Sequence, residues 1–149
     1  MEAIVFTGIQ GTGKSSFYRE RFFLTHVRIN LDMLKTRHRE KLLLNACLEG
    51  KQPFVVDNTN PTRAERQIYI EAAKQAAFRV IGYYFQSNVE DCKRRNEQRP
   101  AEERIPVRGI LGTSARMELP SRQEGFDELF YVRIDEVNRF VVEEWQDEV

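Results

Sequence analysis

A three-layer α/β fold, with a parallel sheet of about five strands covered by helices on both faces, is the class the sequence predicts. Three observations predict it. Five short runs rich in Val, Ile, Phe and Tyr recur along the 149 residues, longer stretches with helical spacing separate them, and the first run leads directly into a glycine-rich loop. Strands covered on both faces are continuously apolar, and parallel neighbours need crossover connections that are usually helices. The length suits one domain with a full core, so residues 1–149 are taken as a single unit.

In chain order, the expected strands are AIVFTG (3–8), VRIN (27–30), PFVVD (53–57), RVIGYYF (79–85) and FYVRI (130–134). Helical spacing covers 14–23, 31–48, 62–77, 89–98 and 135–145. The glycine in CLEGKQP stops the second helix, and Pro61 and Thr62 in NPTRAERQ open the third. The segment 99–125 breaks the alternation: it is polar, contains Pro100, Pro106 and Pro120, carries five arginines and has little apolar periodicity. Long irregular segments of this kind are often lids, and a lid is expected over roughly residues 95–120.

Composition excludes several classes. Hydrophobic residues make up 41% and charged residues 31%, and no apolar stretch reaches the ~20 residues that cross a bilayer, so no membrane partner is expected. The N-terminus, MEAIVFTG, lacks the basic start and cleavage site of a signal peptide, which makes the cytoplasm the expected compartment. Cys47 and Cys92 are far apart with no CxxC, so both are expected to be buried apolar residues. Net charge is zero, but residues 1–116 carry 20 Lys and Arg against 13 Asp and Glu, whereas residues 117–149 carry 3 against 10. Either an acidic C-terminal helix balances the rest, or the first part presents a basic working face.

The loop GIQGTGKS matches G-x-x-x-x-G-K-[ST] through Gly8, Gly13, Lys14 and Ser15. With a strand before it and a helix after it, this is a P-loop: glycines let the main chain approach a phosphate, and successive N–H groups and the helix N-terminus point at the anion. Gly8, Gln10, Gly11, Thr12, Gly13, Lys14, Ser15 and Ser16 are therefore expected to bind nucleotide, with Lys14 on the β- and γ-phosphates and the Ser15 hydroxyl on Mg²⁺. Asp57, closing the third strand, is the candidate second metal residue, and the NTNP that follows, with Thr59 and Asn60, is expected to line the cleft. A guanine-reading N/TKxD motif is absent, which makes ATP the expected nucleotide. A kinase also needs a group that receives the acceptor's proton and cations that neutralise the moving phosphoryl. Asp32, just past the second strand, suits the first role unless it merely caps a helix; Arg95 and Arg99, four apart, and Arg116 suit the second.

Taken together, GIQGTGKS, the N-x-D of Asn30 to Asp32, VVDNTNP, KRRNEQR, RIPV and LPSRQEGFDE resemble the kinase domain of polynucleotide 5′-kinases, including the phage enzyme and the kinase half of polynucleotide kinase phosphatases. The likeness spans nearly the whole chain. It implies an adenylate-kinase-like P-loop fold in which ATP and a 5′-hydroxyl nucleic acid end enter a tunnel from opposite sides. It also implies Asp32 as general base, Lys14 and Ser15 on the triphosphate and Mg²⁺, and Arg116 on the phosphates. Lys35 departs from the phage pattern, which has an arginine there for the acceptor's 3′-phosphate, and so offers a point charge instead of a fork. Two other functions share these residues: a kinase for a sugar, nucleoside or sugar nucleotide, and an ATP-binding regulatory module with an apolar patch at Phe140 and Trp145.

Overall fold

The computed structural model describes residues 1–147. Strand β1 (Glu2–Thr7) is covered on both faces, by one cluster that takes Ala3 and Val5 and by another that takes Ile4 and Phe6. It pairs in parallel with β3 (Phe54–Val56) on one side and β4 (Arg79–Phe85) on the other. Beyond β3 lies β2 (Val27–Ile29), beyond β4 lies β5 (Glu128–Ile134), and β6 (Phe140–Glu144) runs antiparallel to β5 at the edge. The order β2-β3-β1-β4-β5-β6 puts the change of winding direction beside β1, so the crevice past the C-terminal ends of β1 and β3 is where such sheets bind ligands.

Helices fill both layers. Helix α1 (Lys14–Arg21) packs Phe17 and Tyr18, with Phe22 just past its end, on Ile4, Phe6 and Phe85. On the opposite face α3 (Arg37–Glu49) and α4 (Arg63–Gln75) bring Leu44, Cys47, Tyr69, Ile70 and Ala73 against Val5, Val56 and Val80. A smaller cluster of Ile9, Cys92 and Ile110 joins the P-loop to α5 (Val89–Glu97) and α6 (Val107–Arg116). The result is a three-layer α/β fold around a mostly parallel six-stranded sheet.

Four local expectations are corrected. The stretch 135–145 is a hairpin strand and not a helix: Asp135 Oδ1 accepts from the main-chain N–H of Val137 and Arg139, Asn138 takes φ 61°, and β6 zips onto β5. Local turn chemistry and β-branched Val141 and Val142 outweigh the weak helical spacing there. Trp145, just past the end of that strand, is buried against Tyr84 and Tyr131, so the apolar patch that the regulatory-module reading needs there is core. The polar segment 99–125 contains α6, concealed in the sequence by Gly109 and Gly112 but anchored by fully buried Ile110. The helix expected over 31–48 is two, α2 (Leu31–Leu34) and α3: Lys35 takes φ 75°, and Thr36 Oγ1 accepts from Arg39 N as a new N-cap.

Candidate active site

The loop between β1 and α1 has the main-chain shape of an anion nest. Gly11 and Gly13 take φ 86° and 92°, and an added Cβ at Gly11 would lie 2.8 Å from the carbonyl oxygen of Cys92. The loop is held from three sides: Gly8 N donates to Thr59 O, Ile9 N to Ser87 Oγ, and Arg95 Nη1 to Gly11 O at 3.1 Å. Thr12 Oγ1 donates to Ile9 O, which fixes the turn from within. Lys14 Nζ folds back on the loop, donating to Gly8 O at 2.9 Å and Ile9 O at 2.8 Å. Burial pulls its ammonium down to about 8, against an opposing pull from the Asp57 carboxylate. An ammonium so placed gains from an arriving phosphate, which supplies the counter-charge that its surroundings withhold.

Each residue of Asp57 to Asn60 secures a different element. Asp57 Oδ2 accepts from Ser15 Oγ at 2.9 Å, Asn58 Oδ1 caps the Leu31 N–H, Thr59 O holds Gly8, and Asn60 Nδ2 donates to Phe6 O. The amide nitrogen of Asn60 is thus committed to β1, while the residue itself borders the cleft. Ser15 and Asp57 bring a hydroxyl and a carboxylate together, a donor pair that fits Mg²⁺, which is held through few protein oxygens and its substrate's phosphates. The sequence did not single out Arg28, yet its Nε donates to Asp57 Oδ2 at 2.8 Å and its Nη2 to Ser15 Oγ at 2.9 Å. An arginine inside a covered strand needs a counter-charge, and VRIN carried that signal.

Ser15 and Asp57 border a cleft of about 800 Å³, which Arg28 and Arg95 do not line. Gln10, Gly11, Gly13, Lys14, Ser15, Ser16 and Asp57 form its floor, and Asp32, Thr59, Arg99 and Arg116 rise around it. Asp32 is exposed, and among the described residues its carboxylate makes no hydrogen bond or ion pair; the capping of α2 is done by Asn30, whose Oδ1 accepts from Met33 N. Arg99 lies past the end of α5, so it does not share a helix face with Arg95, but it reaches the same cleft. Arg116 ends α6 and is paired with Glu65 of α4. Lys35 is exposed and does not border the cleft; Arg37 does, held by Glu40 and Tyr69, and Arg19 does so from α1. With Glu65 and Glu103 also in the wall, the cleft is mixed in charge and not a uniformly basic face.

A family model described as an AAA domain matches residues 4–120. The chain is 26% identical over 129 residues to a bifunctional polynucleotide phosphatase/kinase of Schizosaccharomyces pombe, covering 84% of this chain and 32% of that protein. It therefore spans about a third of the length of that curated relative. Among solved structures, Kti12 of Chaetomium thermophilum in complex with ADP-AlF3 superposes with a TM-score of 0.68 at 19% identity, covering 91% of this chain and 92% of that one. A gluconokinase from Sinorhizobium meliloti 1021 gives a TM-score of 0.64 at 19% identity, covering 89% and 82%. Among the described residues no helix is long and apolar enough to cross a membrane.

Proposed function

The chain belongs to the AAA-domain family and has a P-loop kinase fold, and from that premise we propose that it is a kinase transferring the γ-phosphoryl group of ATP to the 5′-hydroxyl of a DNA or RNA end. One observation carries the reading: the unengaged carboxylate of Asp32 shares a single cleft with the P-loop and Lys14. The curated relative, whose name includes polynucleotide kinase activity, supports the acceptor class.

In this reading the nest and Lys14 hold the triphosphate, with Lys14 turning from the carbonyls of Gly8 and Ile9 to the β- and γ-phosphates. Ser15 and Asp57 would hold magnesium, which when bound offsets the negative charge shared by the β- and γ-phosphates. Asp32 accepts the proton of the 5′-hydroxyl as the new O–P bond forms and the bond from the γ-phosphorus to the bridging oxygen breaks, releasing ADP. Arg99 and Arg116, which border the cleft, would offset the charge that gathers on the transferred group.

A small-molecule acceptor is the second reading, favoured by Glu65 and Glu103 in the wall, because carboxylates repel the backbone of a nucleic acid strand. Incubation with γ-labelled ATP and Mg²⁺ against 5′-hydroxyl DNA, 5′-hydroxyl RNA, nucleosides and sugars tests both. Label on an oligonucleotide is the expected result; label on a nucleoside or sugar alone overturns the nucleic acid reading.

A further inference from the structure

We infer that Arg28 is an internal counter-ion of the metal site: it holds the two metal-facing oxygens while nucleotide and metal are away, and a divalent cation must displace it from them. The inference rests on the kinase reading above, since it concerns the Ser15 and Asp57 pair that reading assigns to magnesium.

The geometry is closed on itself. Ser15 donates its hydroxyl proton to Asp57 Oδ2 and accepts Arg28 Nη2, while Arg28 Nε donates to the same Asp57 oxygen. One guanidinium therefore engages both Ser15 Oγ and Asp57 Oδ2, at 2.9 and 2.8 Å. The Asp57 side chain is 1% exposed, so without the guanidinium beside it a buried carboxylate would lose its ion-pair partner. Arg28 balances that charge and keeps the pair aligned beside the P-loop.

The same arrangement sets a threshold. A divalent cation brings a second positive centre to oxygens that Arg28 already engages, and the two repel at short range. Coordination through Ser15 Oγ also takes the lone pairs that Arg28 Nη2 approaches. Arg28 has somewhere to go, because its side chain is 27% exposed and sits on β2, at the edge of the sheet. A lysine at 28 would meet one oxygen but not bridge two, because an ammonium is a point charge and not a planar fork.

The test measures metal binding apart from turnover. Mn²⁺ is titrated into protein with ATP, free Mn²⁺ is read by electron paramagnetic resonance, and ATP binding without metal is measured in EDTA by calorimetry. At ATP concentrations that saturate each protein, Arg28→Gln is expected to bind Mn²⁺ about tenfold more tightly than the wild type, with Arg28→Lys between them. Unchanged or weaker Mn²⁺ binding by ATP-saturated Arg28→Gln overturns the inference and leaves the kinase reading intact. No ATP binding by the wild type in EDTA or with Mn²⁺ overturns the kinase reading itself. If Arg28→Gln fails to fold, the wild type decides alone: the Arg28 Nε–H resonance, assigned from Arg28→Lys, should exchange slowly with ATP in EDTA and quickly once Mg²⁺ is added. Equal protection in both states overturns the displacement.

Discussion

The side-chain amide of Asn30 donates to the main-chain carbonyl of Asp57 at 2.6 Å, while its Oδ1 caps α2 through the N–H of Met33. The end of β2 is thereby tied to the end of β3, and the first turn of α2 is set at the cleft with its capping need already met. Asp32, two residues on, is left without a structural duty. Asp32→Asn is accordingly expected to leave thermal stability and ATP affinity near wild type and to lower phosphoryl transfer by about 10²- to 10⁴-fold, the range typical of a lost general base. Single-turnover rates with labelled ATP check it; a rate within a few-fold of wild type removes Asp32 from the chemistry.

Lys14 predicts a pH dependence with a definite sign. Burial lowers its ammonium from 10.5 to about 8 in the folded chain, so between those values the unfolded chain holds a proton that the folded chain has lost. The contribution of Lys14 to stability is unfavourable below about 8, where the buried charge is present, and improves as pH rises through that window. Phosphate reverses the preference by stabilising the ammonium. ATP binding at about pH 9 should therefore take up a fraction of a proton, seen by calorimetry in two buffers of different ionisation enthalpy, and Lys14→Met should abolish the uptake.

Two glycine-to-alanine changes should act in opposite directions. At Gly11, φ is +86° and the added methyl would press on the Cys92 main chain, which cannot turn aside; Gly11→Ala is expected to cost about 1–3 kcal/mol and to weaken ATP binding. At Gly112, inside α6, nothing lies within 4 Å of the added atom, and Gly112→Ala is expected to stabilise by up to about 1 kcal/mol. Urea denaturation of the two variants measures both signs.

Arg116 is paired with Glu65 across the cleft wall, so any contact it makes with a phosphoryl group requires that pair to open. Arg116→Ala is expected to lower kcat by about 10- to 10³-fold if the guanidinium meets the transition state, whereas Glu65→Gln, which frees the guanidinium, should leave kcat at or above wild type. Equal losses in both variants would mark the pair as a strut between α4 and α6.

The parts of the fold that the sequence disclosed are those with a local cause. Continuous apolar runs such as FVV and AIVFT have no use except in strands covered on both faces, and GIQGTGKS names its own turn because few other residues adopt the φ of Gly11 and Gly13. What stayed hidden depends on partners far along the chain. Helix α6 is secured by Ile110 packing on Ile9 and Cys92, and β6 by pairing with β5, neither of which a window of neighbouring residues contains. The split between α2 and α3 was nearer to legible, since Thr36 precedes an acidic Glu40 as an N-cap should. In the site, Arg28 and the capping role of Asn58 escaped notice because they exist only once β2 and β3 lie side by side.

Below the cleft, Arg66 is completely buried and forks onto both carboxylate oxygens of Glu124, at 2.8 and 3.1 Å, while its third nitrogen donates to Asn60 O. That arrangement fixes the backbone of Asn60, whose amide in turn holds β1 at Phe6, so it supports the P-loop from behind. Removing the arginine alone leaves Glu124 buried, with Arg63 at 4.0 Å as its nearest remaining cation. Arg66→Met is expected to destabilise by about 3–5 kcal/mol, most of it the cost of the unpaired charge and not of the lost bonds. If so, adding Glu124→Gln to Arg66→Met should recover part of the loss, because a neutral amide can keep the Ser121 N–H without carrying charge. Denaturant melts of the two single variants and the double measure the coupling. A double variant less stable than Arg66→Met would mean that the hydrogen bonds, and not the charge balance, hold this corner of the site in place.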